Sequence, residues 1–369
     1  MRRPARLPLV VAGAAAAAFV LTASPAHAEL SPTPSGPTGW TPDGAVLATV
    51  ATGSTVYVGG DFTGGVAALD ATTGALKWTG STNGPVRALD LTDDGSRLIL
   101  GGKFTTVGGA THRQLAALDA ASGAVVPSWR GAAGGVVRDV LVVGETTYFA
   151  GTFLKHGGMA QRGLGAVTTS SGALVTSFTP SADSGVFGLA SDGSRLFFSG
   201  KFTAVNGIPR NQVASVDLAT GSLDPWLTSR PCTGCNVYWD VAVDDDRVYV
   251  VGRNAWAIQA LDKVTGLRRW QQRVYANGDA QAVTFGADGL LYVGGHFVTV
   301  MGQPRSLLAA LDPATGNLQG FSARFVTSYP GIWALAASPS RLYVGGYFTA
   351  AGPAPNRFPY FAMFPWVTS

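Results

Sequence analysis

The 369-residue sequence predicts an all-β fold, and three observations lead to it. A short strand that ends in a glycine pair or its remnant recurs seven times, and six copies continue into Phe. The copies lie 42 to 52 residues apart, close to the length of a four-stranded propeller blade. The β-prone runs between them leave no room for a long helix. The copies are YVGGDF (57–62), ILGGKF (99–104), YFAGTF (148–153), FFSGKF (197–202), YVVGRN (249–254), YVGGHF (292–297) and YVGGYF (343–348). We therefore predict a seven-bladed β-propeller with four-stranded antiparallel blades.

Each repeat is expected to hold its four strands in a fixed order. An inner strand, a tight turn and a second strand carrying the glycines are followed by a loop, a third strand, another turn and an outer strand. In the second copy these are the strand 87–91, the turn 93–95, the strand 98–101, the loop 104–114, the strand 115–118, the turn 119–123 and a last strand ending near Trp129. Stacking such sheets around an axis removes their free edges.

Five aspartates recur at the end of the third strand, each four residues before a glycine. They could form a metal or catalytic array. However, an Asp that bonds its own backbone ahead of a glycine with positive φ makes an ordinary capped turn. Thr168 with Gly172 fits a hydroxyl-capped version in the third repeat. We therefore predict a structural role for Asp70, Asp119, Asp217, Asp262 and Asp312.

An aromatic residue closes each of the first six repeats. Large aromatic side chains bury most of their area in a core, so we expect these residues to pack between neighbouring blades. They are Trp78, Trp129, Phe178, Trp226, Trp270 and Phe321.

The seventh repeat departs from this pattern in a way that predicts ring closure. Counting 17 residues from its reference glycine, Gly346, places Met363 where the turn Asp stands elsewhere, and the chain ends six residues later. The segment around Gly39 and Trp40 resembles the end of a repeat. We expect this segment to supply the outer strand of the last blade, so that an N-terminal strand closes the ring.

Residues 1–28 have the pattern of a secretory signal peptide. Three arginines precede an alanine-rich apolar stretch over 7–23, and Ala-His-Ala ends at Ala28. A retained membrane anchor would need about 20 strongly apolar residues. We expect cleavage after Ala28, a single propeller domain over 29–369 and a secreted, extracellular protein.

The charge of the chain argues against two classes of partner. The formal net charge of +4 includes three arginines of residues 1–28, which contain no acid, so residues 29–369 carry +4 − 3 = +1. Charged residues make up 13% of the chain and no basic run occurs. Nucleic acid and membrane surfaces, which need clustered Lys and Arg, are therefore poor partners. We expect a monomer without cofactor or metal that binds an extracellular glycan, peptide or polymer.

The repeated text resembles a known class of propeller repeat. YVGGDFT, FTAVNGIPRNQVASVD (202–217) and ALDPATG (310–316) are similar to the delta-60 or DUF5122 repeat of exported bacterial proteins, over nearly all of residues 40–364. A weaker likeness links the Ala, Asp, Gly and Trp spacing to the repeats of quinoprotein-type propellers, whose adjacent cysteine pair and cofactor residues are missing here. The first resemblance implies the fold and no particular activity.

Candidate binding residues are found where the repeats differ from one another. One residue per blade lies 13 to 15 positions before the reference glycine, where the inner strand should face the central channel, and a second set directly follows the glycines. Arginine and lysine beside aromatic faces suit an anionic or sugar ligand, although such side chains could also merely line a water-filled tunnel. The first set is Leu47, Arg87, Arg138, Phe187, Trp239, Gln281 and Trp333; the second is Asp61, Lys103, Thr152, Lys201, Arg253, His296 and Tyr347.

Loop lengths and one insertion distinguish blades one and five. The connection from the glycine to the turn residue is 10 residues long in these blades and 17 in blades two, three, four and six, which predicts two gaps in one rim. Before the inner strand of blade five lies an insertion over 229–239, with Tyr238 and Trp239 as candidate ligand residues. Its Cys232 and Cys235 are expected to form a structural disulfide; redox and metal-binding roles are the alternatives.

The sequence leaves two classes of function open. Common catalytic motifs such as GxSxG and HExxH are missing from the sequence. His296, with Asp61 across the ring closure, is therefore only a weak candidate for an acid–base pair. The favoured hypothesis is a secreted, non-enzymatic binding or interaction scaffold. The alternative is a secreted polysaccharide lyase or hydrolase that uses Arg87, Arg138 and His296 at the channel.

Overall fold

The computed structural model describes residues 11–12, 28–226, 237–253, 256–275, 278–327, 331–353 and 357–368. All regular elements in these ranges are β-strands or turns. Accordingly, no helix in this part of the chain is long and apolar enough to cross a membrane. The short strands β1 (Val11–Ala12) and β2 (Ala28–Leu30) precede the blades.

The first four blades follow one another along the chain. Blade one holds β3 (Ala45–Ala51), β4 (Thr55–Asp61), β5 (Val66–Asp70) and β6 (Leu76–Thr79); blade two holds β7 (Val86–Leu91), β8 (Arg97–Gly102), β9 (Thr106–Val107), β10 (Ala110–Thr111) and β11 (Leu115–Asp119); blade three holds β12 (Val137–Val143), β13 (Thr146–Gly151) and β14 (Leu164–Thr168); blade four holds β15 (Val186–Ser191), β16 (Arg195–Gly200), β17 (Ala204–Val205), β18 (Ile208–Pro209) and β19 (Val213–Asp217).

The remaining strands build three more blades. Blade five holds β20 (Val237–Val243), β21 (Arg247–Arg253), β22 (Ile258–Asp262) and β23 (Arg268–Gln272); blade six holds β24 (Val274–Tyr275), β25 (Asp279–Phe285), β26 (Leu291–His296), β27 (Thr299–Val300), β28 (Gln303–Pro304) and β29 (Leu308–Leu311); blade seven holds β30 (Phe325–Val326), β31 (Ile332–Ala337), β32 (Arg341–Gly346), β33 (Ala350–Ala351) and β34 (Phe361–Thr368).

The blades are arranged in a ring around a central channel. The inner strands β3, β7, β12, β15, β20, β25 and β31 contact their neighbours in a closed cycle in which β31 returns to β3. Buried side chains fill the space between adjacent blades; one cluster joins Tyr57 of blade one to Leu100 of blade two. The predicted all-β propeller class is confirmed.

The outer strand is not equally regular in every blade. Blades one and five have four paired strands, whereas in blades two, three, four and six the outer strand is a single antiparallel bridge. These bridges are Leu118–Val125, Val167–Leu174, Val216–Leu223 and Leu311–Leu318. A single bridge fits sequences that turn to proline and glycine soon after the capped turn.

An N-terminal strand closes the ring, but it lies earlier in the chain than we predicted. Ala28–Leu30 pairs antiparallel with β34, and Ser35 forms a further bridge to Met363. Trp40 instead packs edge-on against Phe62 of blade one, with ring centroids 5.7 Å apart. Residues 38–42 resemble the end of a repeat. This prediction was wrong because a short motif of an aromatic residue followed by proline does not determine which sheet edge the segment joins.

The capped turns occur where the aspartates predicted them. In blade one, Asp70 Oδ1 accepts hydrogen bonds from the Thr73 amide and hydroxyl at 2.8 and 2.9 Å, and Gly74 has φ 71°. These bonds hold the pKa of Asp70 below its ordinary value, as they do at the other turn aspartates. The aspartates are therefore parts of the scaffold.

Blade seven places a different residue at the turn position than our count gave. The turn residue of blade four, Asp217, pairs with Arg195, and the residue paired with the corresponding Arg341 is Pro365 rather than Met363. The connection from Gly346 is two residues longer than 17, so counting from the glycine stopped short.

The closing aromatics connect each blade to the next. Trp129 of blade two is fully buried, and its Nε1 donates to the Thr169 carbonyl of blade three at 3.0 Å. Trp226 makes the same bond to the Asp262 carbonyl at 3.1 Å. Trp78 and Trp270 likewise reach carbonyls of the following blade. These residues pack between blades, as predicted, and fix the distance between adjacent turns.

Candidate functional site

Each predicted channel residue is the extra residue of a β-bulge. In blade three, for example, β12 and β13 pair at Val137–Gly151 and again at Asp139–Ala150, so Arg138 has no partner residue. A bulge re-aims a side chain, here away from the sheet and towards the axis. The same shift isolates Leu47, Arg87, Phe187, Trp239, Gln281 and Trp333 in the other blades.

The bulge also explains why the reference glycine recurs. A Cβ on Gly151 would lie 2.1 Å from the carbonyl oxygen of Val136, two residues before Arg138. The equivalent distance at every other reference glycine is 2.1 to 2.3 Å, again to the residue two before the bulge. Any side chain at the glycine would therefore displace the backbone that aims the channel residue.

The seven bulge residues line one cavity at the mouth of the channel. All of them border it, together with neighbouring inner-strand residues. Its volume is about 90 Å³, which holds one functional group or a few water molecules. The seven positions thus border one common cavity, and ligand binding at them stays a prediction.

Aromatic side chains form a continuous wall on one side of the cavity. Phe187 and Trp239 stack with ring centroids 5.3 Å apart, and Trp333 meets Trp239 edge-on at 5.6 Å. Trp239 is held in place because its Nε1 donates to Asp279 at 3.0 Å. Gln281 Oε1 and Trp333 Nε1 are buried, and neither has a hydrogen-bond partner in the part of the chain that the structure describes. The wall thus offers flat apolar faces with two unused polar atoms.

Two arginines from adjacent blades occupy the opposite side. Arg138 lies over the Phe187 ring, with 5.6 Å from its guanidinium carbon to the ring centroid. The Nε atoms of Arg87 and Arg138 are buried and lack hydrogen-bond partners among the described residues. Burial, followed by the nearby Arg87 cation, lowers the pKa of Arg138 to about 10, so Arg138 is still charged at neutral pH.

Buried aspartates join the inner strands of neighbouring blades, a feature that the sequence analysis missed. Asp139 accepts from the Val140 amide at 2.8 Å and from the Leu189 amide of blade four at 2.7 Å. Asp240 bonds the Val241 amide at 2.8 Å and the Val283 amide of blade six at 2.9 Å. Each carboxyl group therefore connects two blades behind the channel surface.

These aspartates predict a distinctive pH dependence of stability. Burial raises the pKa of Asp240 to about 7, and burial followed by the Asp240 charge raises that of Asp139 well above its ordinary value. The folded state then holds protons that the unfolded state releases near pH 4, so stability falls as the pH rises towards 7. In urea unfolding at pH 4.5 and 7.5, Asp240→Asn should weaken this fall. An unchanged difference between the two pH values would contradict the assignment.

The second predicted set lies at the same end of the inner strands, and none of its members lines the cavity. The amide of Lys103 donates to the Pro85 carbonyl at 2.9 Å, and that of Lys201 to Gly185 at 3.0 Å, which ties each residue to the start of an inner strand. Lys103, Lys201, Arg253, Thr152 and Asp61 are exposed, whereas His296 and Tyr347 are partly buried. His296 pairs in register with Asp279, and blade seven separates it from Asp61.

Tyr238 is a correction to the predicted ligand set. Its side chain is fully buried, and its hydroxyl accepts a hydrogen bond from Gln259 Nε2 at 2.7 Å. Because the bulge begins at Trp239, Tyr238 points into the sheet interface and belongs to the core of blade five. Cys232, Cys235 and the rest of 227–236 lie outside the described residues.

The connections that follow the glycines differ among the blades, and residues 254–255 of the short blade-five connection lie outside the described residues. The long connections rise as small hairpins, β9–β10, β17–β18 and β27–β28, and blade three has a His156–Met159 bridge at this place. Blade one turns directly, with the Gly65 amide bonded to the Phe62 carbonyl at 2.9 Å. The connection of blade one is therefore shorter than the hairpins of blades two, four and six.

Comparison with known proteins supports the fold. A family model described as "Outer membrane protein assembly factor BamB" matches residues 160–324, which favours the quinoprotein-type likeness; no match bears on the delta-60 name. The WD40 β-propeller domain of Doa1 is similar at 13% identity and TM-score 0.60, covering 93% of this chain and 98% of that one. U3-55K is similar at 10% identity and TM-score 0.65, covering 90% and 98%. No curated protein matches the sequence. At such low sequence identity, the similarity is evidence for a common fold and not for a common function.

Proposed function

We propose that this β-propeller is a secreted, non-enzymatic scaffold that binds an extracellular glycan or related surface polymer at the mouth of its channel. The observation that carries the proposal is the bulge ring: one scaffold element, repeated in every blade, presents seven different side chains to one cavity. A structural lining has no need for such variation. Loops and exposed positions on a rigid frame are where binding residues concentrate.

The shape of the site favours an extended ligand over an enclosed small molecule. The cavity of about 90 Å³ takes only one group, so most of a larger ligand would lie on the rim. We expect such a chain to pass over blade one, whose direct turn is shorter than the hairpin of blade two. The stacked pair Phe187 and Trp239 offers flat faces of the kind that pack against apolar ring surfaces.

Export is part of the same proposal. The signal pattern of residues 1–28 and the low charge of residues 29–369 support an extracellular monomer that meets its ligand outside the cell. Edman sequencing of the secreted protein should begin at Glu29 if cleavage follows Ala28.

A binding array of glycans and cell-wall polymers with the protein beginning at Glu29 tests the function. We expect retention of at least one polymer, and about a 2- to 10-fold loss of affinity for Trp239→Ala, since stacking with an aromatic face contributes about 0.5 to 1.5 kcal/mol. Trp366→Ala is the matched control, because Trp366 lies on β34, donates to the Ser338 carbonyl at 2.9 Å and does not border the cavity.

Two results would contradict the scaffold function. One is equal loss of affinity in both tryptophan variants, which would remove the channel mouth from binding. The other is turnover of a retained polysaccharide that disappears in Arg138→Ala, which would favour the lyase or hydrolase alternative. The melting temperature of each variant shows whether its fold is intact.

A further inference from the structure

The two channel arginines differ from Arg210 and Arg305, two other arginines with little exposure whose guanidinium groups are hydrogen-bonded. Arg210 donates to the carbonyls of Pro209 and Asp224 at 2.9 and 2.8 Å, and Arg305 bonds the Pro304 and Gln319 carbonyls, both at 2.7 Å. Such arginines hold connecting loops. Among the described residues, the guanidinium groups of Arg87 and Arg138 have neither a hydrogen bond nor an ion pair.

The two acids that border the cavity, Asp139 and Asp240, use their oxygens for other contacts. The oxygens of Asp139 accept backbone amides of blades three and four at 2.8 and 2.7 Å, which turns the carboxyl group into the inter-blade contact. Asp240 is engaged in the same way between blades five and six. Two adjacent cations without a counter-ion repel each other, and an anion bridging them removes that repulsion.

The surroundings add a preference for what carries the anion. Arg138 covers one face of Phe187, which stacks in turn with Trp239, so a group held by the guanidinium forks sits at the edge of an aromatic wall. A guanidinium fork matches the two oxygens of a carboxylate, and the aromatic faces suit a ring with apolar C–H surfaces. Exposed Lys103 and Lys201 at the same end of the inner strands make the approach attractive for an acidic chain.

We propose that Arg87 and Arg138 form an oxyanion site that receives the carboxylate of an acidic sugar residue, with its ring against Phe187 and Trp239. This inference rests on the proposed glycan-binding function and names the class of glycan. The cavity volume of about 90 Å³ admits the carboxylate and its attached carbon, while the remainder of the chain follows the rim.

Isothermal titration of the protein beginning at Glu29 tests the assignment with four probes: a glucuronate oligomer, a glucose oligomer of equal length, acetate and sulfate. We expect tight binding of the glucuronate oligomer alone, with an affinity that falls as salt increases. Arg138→Ala should reduce that affinity about 10- to 100-fold, as expected for a lost charged hydrogen bond. Arg138→Lys should recover only part of it, because an ammonium keeps the charge without the fork.

Arg269→Ala serves as the matched control. Arg269 lies on the outer strand β23 of blade five and forms an ion pair with Asp262 at the end of β22. Equal affinity for the glucose and glucuronate oligomers would overturn the inference and leave the glycan-binding function standing. If sulfate or acetate binds as tightly as the glucuronate oligomer, the arginines bind anions without recognising the sugar ring. This result would also overturn the inference. No binding of either oligomer, together with no polymer retained in the array, would instead remove the proposed function itself.

Discussion

A chain that begins at Pro37 should melt about 10 °C below one that begins at Glu29, because it lacks the strand that closes the ring. Leu30 is 6% exposed and packs between blades six and seven, and Ser31 and Ser35 bond the Pro365 and Met363 carbonyls at 2.9 and 2.8 Å. Losing one buried leucine and several backbone hydrogen bonds costs about 4 to 6 kcal/mol, at about 2 °C for each kcal/mol in a chain of this size. Differential scanning calorimetry measures the difference.

The control for this deletion keeps the strand and weakens one contact. Leu30→Ala in the chain beginning at Glu29 should lower the melting temperature by a few degrees only, because the backbone pairing with β34 survives. Equal melting temperatures for the chains beginning at Glu29 and Pro37 would show that the last blade is stable with its outer edge open.

Replacing Trp129 with Ala should cost about 3 to 5 kcal/mol of unfolding free energy, the range for a buried Trp truncated to Ala. The side chain is fully buried, and its indole N–H reaches the Thr169 carbonyl at 3.0 Å. Its removal opens a cavity between blades two and three and leaves that carbonyl without its bond. Urea unfolding followed by tryptophan fluorescence and circular dichroism gives the free energy.

Two variants separate packing from hydrogen bonding at this position. Trp129→Phe keeps most of the apolar body and loses the N–H, so it should cost about 1 to 2 kcal/mol. Leu154→Ala, at a side chain that is 60% exposed, should change the free energy by less than about 0.5 kcal/mol. If Trp129→Ala behaves like Leu154→Ala, the closing aromatics do not hold the blades together.

The repeated local features of the fold could be predicted from the sequence because each is encoded within a few residues. An Asp or Thr four residues before a glycine specifies its own capped turn, as Asp70 and Thr168 show. The identity of the closing strand could not be derived in this way. Its partner β34 lies more than 300 residues away, and the pairing of Ala28–Leu30 depends on which segment reaches a free edge.

The spacing of the repeats predicted the positions of the channel residues, but it did not predict the buried aspartates behind them. Positions such as Arg138 were located by their distance from a reference glycine, and the bulge makes that distance meaningful. Asp139 and Asp240 were missed because an acid beside a channel position looks solvent-facing in a strand pattern. Only the structure shows their oxygens bonded to the amides of the next blade. Tyr238 was misassigned since alternation cannot reveal where the extra residue of a bulge begins.

The contact between each reference glycine and the carbonyl behind its bulge has a consequence for how such proteins diversify. The backbone geometry depends on the glycine, as at Gly151, and leaves the side chain at the bulge free of any folding requirement. The side chains at the seven bulge positions can therefore be substituted independently of one another, while the glycines keep the backbone geometry constant. We therefore expect that propellers sharing these glycines differ in their ligands. Overall sequence similarity among them would indicate a common scaffold and not a common ligand.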